Sequence, residues 1–334
     1  MKIHLLLALS AALALAACKP APGPSAAPTS STPIRVGAAY WPGFYWVDVA
    51  QEKGWFKEAG LNVEWVDTNA DYFASFDDLV SGKLDMVGFS SFDFVLYNAK
   101  GKDLVGVLAT DYSVGADALV ARPGIESVRD LAGKKIGVPK GTYLEYLLSV
   151  AAQHAGLDLA TATLVDMAAE KAPEELIAGR VDAIFTFEPI ASEGMEKVKG
   201  RKLFSTADVL GINAGIEALR REFVEKRPAD VQALLRVWHR TTEFIKAHED
   251  EAFAIVAKVN KKTPAEVKTF AATDKILDLR ANRTAFTYAA GLDSLHGSMR
   301  QISEYIVRQG LAPKKVETTE VLDDRFLRAL EVKR

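Results

Sequence analysis

Between residues 34 and 204, short runs rich in Val, Ile, Leu and Phe alternate with longer amphipathic stretches, and that alternation admits few folds. Strand-like runs separated by helical ones build α/β layers, with the helices covering a mainly parallel sheet. The strand candidates are 34–39, 61–66, 84–89, 104–109, 118–121, 135–138, 163–167, 182–187 and 202–204. Gly141-Thr142 opens a helical run over 143–155 that stops at Gly156, and Pro173-Glu174-Glu175 opens another that stops at Gly179. From 216 to 310 the pattern becomes almost wholly helical, as in 228–248, where Leu234, Leu235, Trp238, Thr242 and Ile245 share a face. Residues from 314 onward read as an irregular tail with one short helix near 325–330. A chain of 334 residues suggests about two domains.

Composition narrows the function. Lys and Arg number 41 against 44 Asp and Glu, a net charge of -3, so the basic footprint of a nucleic-acid-binding domain is missing. A single cysteine makes no internal disulfide and no Cys-based metal centre. The sequence contains no Gly-x-Ser-x-Gly elbow, no phosphate-binding loop and no Gly-x-Gly-x-x-Gly. His154, His239, His248 and His296 stand at spacings that form no short metal motif. The chain is therefore expected to be a non-enzyme needing no cofactor and no metal.

The N-terminus sets the compartment. A charged start at Lys2 and an apolar stretch over 5–15 have the form of a secretory signal, too short to span a bilayer. Leu15-Ala16-Ala17-Cys18 resembles a bacterial lipobox, in which the thiol is lipidated and residues 1–17 are removed. Residues 19–33 (KPAPGPSAAPTSSTP) have no aromatic and no aliphatic side chain larger than alanine; they form a tether rather than a core. Together these predict an exported monomer held at the membrane by lipid on Cys18, facing the periplasm or the outer cell surface.

Several segments, in order, resemble one family. Ile34-Arg35-Val36-Gly37 with Trp41-Pro42-Gly43, then Glu52-Lys53-Gly54-Trp55-Phe56, is similar to the opening of ABC-importer solute-binding proteins of the nitrate, sulfonate, taurine and thiamine-precursor group. Gly82-Lys83-Leu84-Asp85, Asp117-Ala118-Leu119-Val120-Ala121, Leu131-Ala132-Gly133-Lys134-Lys135 and Gly179-Arg180-Val181-Asp182-Ala183 with Phe187-Glu188-Pro189 continue the likeness. The turn around 211–217 departs from it. The resemblance implies a type 2 periplasmic-binding-protein fold, two α/β lobes closing on a small solute. Lobe one would take 34–115 plus about 212–313, lobe two 116–211, and the partners would be a permease and its cytoplasmic ATPase.

Ligands of open α/β sheets bind beyond the C-terminal ends of strands, where helix N-termini point. Those ends place Trp41, Tyr45 and Trp46 as a flat aromatic wall, and Ser90 and Ser91 as hydroxyl donors that also suit an N-cap. Asp111 follows the fourth strand, Gly141, Thr142 and Tyr143 offer a helix start, and Glu188 follows a later strand. Asp117 reads as a hinge residue making backbone contacts. Aromatic rings plus an unpaired Glu188 would favour a flat nitrogenous or zwitterionic ligand, such as a thiamine-pyrimidine precursor, over a bare anion. The alternatives are sulfonate, taurine or nitrate binding in the same family, a ligand sensor, or a pyrimidine-synthase-like enzyme on the same fold, whose cysteine cluster this chain lacks.

Overall fold

The computed structural model describes residues 32–69 and 71–331; Cys18, the signal sequence and most of the tether lie outside the described residues. The strands are β1 (Ile34–Ala38), β2 (Val63–Asp67), β3 (Met86–Ser90), β4 (Leu104–Ser113), β5 (Asp117–Ala121), β6 (Lys135–Val138), β7 (Thr163–Asp166), β8 (Ala183–Phe187), β9 (Arg201–Ser205), β10 (Ala214–Arg220) and β11 (Asp274–Ile276). They form two sheets, ordered β11-β4-β10-β3-β1-β2 and β7-β6-β8-β5-β9, so one lobe is built from both ends of the fold and the other from its middle.

Two expectations are corrected here. The sheets are mixed rather than mainly parallel: β10 runs antiparallel to β3 and β4, and β5 runs antiparallel to β8 and β9. These are the strands next to the passages between lobes. Residues 214–220 (AGIEALR) form a strand, not the start of a helical region. Ala, Glu, Leu and Arg favour helix locally, but Ile216, Ala218 and Leu219 are buried in the middle of a sheet, and tertiary burial overrides propensity. The turn that departs from the family pattern is thus the return passage into the first lobe.

Asp85 explains why that lobe holds its register. At the entry to β3 it accepts from Arg35 Nε (2.9 Å) and Arg35 Nη2 (2.9 Å) on β1, and from Arg220 Nη2 (2.9 Å) at the end of β10. One buried carboxylate thereby ties three strands, and the two guanidiniums hold its pKa below the ordinary range against the opposing effect of burial. The helix Pro228–Ala247 buries the face carrying Leu234, Leu235, Trp238, Thr242 and Ile245. The tail is not irregular: Thr318–Val321 and Arg325–Arg328 are helical, and Val321, Phe326, Leu327 and Leu330 are buried. Asp323 N donates to Gly106 O on β4 (2.9 Å), so the tail packs on the first sheet.

Candidate ligand cleft

The two passages between lobes run side by side and are latched by side chains. Ser113 Oγ bonds Asp117 Oδ2 (2.8 Å) and Thr206 Oγ1 (2.7 Å), while Asn213 Nδ2 also donates to Asp117 Oδ2 (3.1 Å). Asp117 is therefore a hinge residue, bonded through its side chain. Its other oxygen, Oδ1, is buried without a hydrogen-bond partner. Burial raises its pKa to about 6 despite the Ser113 and Asn213 bonds.

Asp111 lies inside β4, not after it, because the strand runs on to Ser113. Its carboxyl is wedged between two bare backbones: a Cβ on Gly43 would stand 1.9 Å from Oδ1, and one on Gly215 2.3 Å from it. Thr110 Oγ1 donates to Oδ1 (2.6 Å) and Trp41 Nε1 donates to Oδ2 (3.1 Å). Trp41 is the member of the aromatic run that stands at the strand end, half-buried, its ring meeting Phe270 edge-on at 5.4 Å.

The rest of that run faces inward. Tyr45 and Trp46 are 1% and 3% exposed, and Trp46 Nε1 donates to Glu217 Oε1 (3.3 Å) in the interior of the first lobe. The ring beside Trp41 at the strand end is that of Tyr40, which lies between Tyr45 (5.8 Å) and Phe270 (5.3 Å).

Ser90 caps its helix: Oγ accepts from Asp93 N (3.1 Å) and donates to Asp93 Oδ2 (2.8 Å). Ser91 is fully buried, its Oγ accepting from Ala214 N (3.2 Å). In the second lobe Gly141 N donates to Glu145 Oε2 (2.6 Å), and Thr142 caps the helix Tyr143–Ala155 while donating to Pro139 O (2.8 Å). Tyr143 points back toward the hinge; burial and the charges of Asp117 and Asp93 push its phenol pKa up. Nearby, Phe92 of the first lobe stacks on Tyr146 of the second (5.6 Å), and Tyr146 meets Tyr305 (5.1 Å), so the lobes touch along one side.

Glu188 is not unpaired. It accepts from Lys202 Nζ (3.0 Å), Ser192 N (3.0 Å) and Ser192 Oγ (2.9 Å), which makes it a helix-start acid neutralised by its own lobe. The buried carboxyl groups of this region are instead Asp111, Asp117 and, missed by sequence reading, Asp274 on β11. No hydrogen bond or ion pair joins any of these three to an Arg or Lys among the described residues. Asp274 carries no clear signal in sequence: its strand is three residues long inside an otherwise helical stretch, and Asp-Lys-Ile-Leu does not alternate. Among the described residues no three His, Cys, Asp or Glu side chains converge to hold a metal ion.

Two sheets of this order, crossed twice and bordering a hinged cleft, define the periplasmic-binding-protein fold. The crystal structure of the periplasmic aliphatic sulphonate-binding protein SsuA from Escherichia coli superposes with a TM-score of 0.73 at 20% identity, covering 91% of this chain and 96% of that one. A binding protein of Brucella abortus is 30% identical over 261 residues, 76% of this chain and 80% of the relative. A Bacillus subtilis protein named for binding aliphatic sulfonates is 26% identical over 296 residues, 85% of this chain and 84% of the relative. The family model described as NMT1/THI5 like matches residues 41–252, and the chain belongs to that family.

Proposed function

We propose that this protein is the exported solute-binding component of an ABC importer, anchored through lipid on Cys18, and that it captures a small, flat, nitrogenous or zwitterionic solute of the thiamine-pyrimidine-precursor kind. Ligand enters between the lobes, bonds to both and shifts the population toward the closed form, which a permease recognises; a cytoplasmic ATPase supplies the energy. No bond of the ligand is broken, and the protein works as a monomer.

One observation carries the ligand class: the first lobe and the adjoining hinge hold three buried carboxyl groups, Asp111 bonded to Trp41, Asp274 on β11 and Asp117 at the start of β5, with no Arg or Lys paired to them among the described residues. Bringing a bare anion there would set like charges together at low dielectric, whereas an amine or ring N–H would satisfy the acids. Trp41 and Tyr40 supply a face for a flat ring. Similarity to proteins named for sulfonate binding favours a second reading, sulfonate capture. Against it, Gly141 N and Lys140 N, two amides near the start of the second-lobe helix, already serve the chain's own Glu145 and Asp166.

Thermal denaturation of the chain from Lys19 onward, in the presence of aminopyrimidines, simple amines, taurine, alkanesulfonates and nitrate, tests the reading. A ligand at 100 times its Kd adds about 2.7 kcal/mol, a shift of several degrees. Stabilisation by aminopyrimidines or amines is expected; stabilisation by sulfonates or nitrate alone would move the assignment to anion uptake.

A further inference from the structure

Asp274 has no structural use of the ordinary kind. It is 8% exposed, and neither carboxylate oxygen has a hydrogen-bond partner. It sits on an edge strand, opposite Ser113 of β4, with Ile276 opposite Asp111. Positions two apart on a strand share a face, so Asp111, Ser113 and Asp274 project from the same side of the sheet. Ser113 in turn holds Asp117, whose buried Oδ1 is also without a partner. Asp111 and Asp274 thus face the same side of the sheet next to the hinge, where Ser113 links them to Asp117. Leaving such groups unmet costs folding free energy, which a structural role alone would not retain.

The surroundings set the charge. From the first helix and its entry come Tyr45, whose hydroxyl is also buried and unpartnered, Tyr40 and Trp41. Asp117 comes from β5, Glu217 from β10 and Tyr143 from the second lobe. Lys262 lies over the Tyr40 ring at 5.7 Å, and Lys275 beside Asp274 is exposed. Three ionised aspartates cannot be held together so far from a counter-charge, and like-charged carboxyls in contact resolve this by keeping a proton. Burial and the neighbouring charges of Asp111 and Asp117 push Asp274 far up; burial raises Asp111 too, against the opposing effect of Thr110, Trp41 and Asp274.

Building on the solute-binding reading above, we propose that Asp274 determines the specificity of the cleft: it shares one proton with Asp111 in the empty protein, and a ligand is admitted when its own positively charged N–H group takes that proton's place. The displaced proton goes to solvent, so a cation entering and a proton leaving keep the charge of the site constant. A neutral donor brings no charge to replace the proton and would leave the pair doubly ionised, and an anion has nothing to replace. The ligand class that follows is an amidine, an aminopyrimidine or another planar nitrogen base.

The test has two parts on the chain from Lys19 onward, which keeps every described residue. In the ligand-free protein, carboxyl carbon NMR with labelled aspartate should show one aspartate still protonated at neutral pH, its signal lost in both Asp274→Asn and Asp111→Asn. Ordinary titration of every aspartate would overturn the proposal. Calorimetry with benzamidine, in buffers of different ionisation enthalpy, should show release of about one proton and an affinity rising about tenfold per pH unit while the pair is protonated, a slope that Asp274→Asn flattens. Benzamidine binding without proton release, or with its pH slope kept in Asp274→Asn, would overturn the proposal and leave the solute-binding reading intact. Benzenesulfonate binding in preference to benzamidine would overturn the ligand class in both.

Discussion

Replacing Gly215 by Ala should damage the protein out of proportion to one methyl group. The added Cβ would stand 2.3 Å from Asp111 Oδ1 and 2.4 Å from Thr110 Oγ1, about 0.6–0.7 Å inside the closest contact that real Cβ atoms make. The carboxyl has no retreat, because Gly43 presses from the other side, where a Cβ would come within 1.9 Å of the same oxygen. It must therefore swing away from Thr110 (2.6 Å) and Trp41 (3.1 Å). Overpacking costs about 1–3 kcal/mol and loss of a bond to a charged group about 1.5–3 kcal/mol, so a total of about 3–5 kcal/mol is expected. Urea denaturation at neutral pH reads this directly as a shift of midpoint at constant slope. Combining Gly215→Ala with Asp111→Ala should recover at least about 1 kcal/mol relative to additivity, since the clashing carboxyl is gone and only the Thr110 hydroxyl, free to rotate, remains. A Gly215→Ala protein within about 0.5 kcal/mol of wild type, or a strictly additive double variant, would refute the wedge between the glycines.

Three further outcomes follow from the same geometry. Asp85→Asn removes the charge that two guanidiniums share across three strands and should cost about 3–5 kcal/mol in denaturant midpoint, as for other buried pairs deprived of one partner. Glu217, buried with Oε2 unpartnered, has its pKa raised to about 8 from 4.5 by burial. The folded state therefore holds a proton that the unfolded state releases, so its contribution is full below about pH 4.5 and is lost as pH rises toward 8. Glu217→Gln should accordingly show a flatter fall in stability between pH 5 and 8 than wild type, by denaturation at both ends. Glu188→Gln should leave ligand affinity unchanged while lowering stability by about 1–3 kcal/mol, because its partners are Lys202 and Ser192 rather than the ligand; a calorimetric affinity loss beyond tenfold would contradict this.

The alternation of runs from 34 to 204 was enough to expect α/β layers, because buried strands and amphipathic helices leave different periods in the chain. Strand β10 escaped because Ala, Glu, Leu and Arg carry a helical preference that only its neighbours β3 and β4 override. The site was partly legible. Trp41 and Asp111 were nominated separately, and the structure joins them by a hydrogen bond between positions 70 residues apart, a distance no pattern in sequence spans. Tyr45 and Trp46 were indistinguishable from Trp41 until the helix Tyr45–Glu52 turned them inward. Glu188 looked free because its neutralising partner Lys202 comes from β9, 14 residues on. Asp274 is the converse case: its meaning lies in the pairing of a three-residue edge strand with β4, brought together from opposite ends of the lobe.

The most direct measurement is a pair of calorimetric titrations, an aminopyrimidine and taurine, each into wild type and Asp111→Asn. The account predicts that wild type binds the aminopyrimidine and not taurine, and that Asp111→Asn loses at least tenfold in that affinity, about 1.4 kcal/mol. Tight taurine binding by wild type, or aminopyrimidine binding indifferent to Asp111, would contradict it.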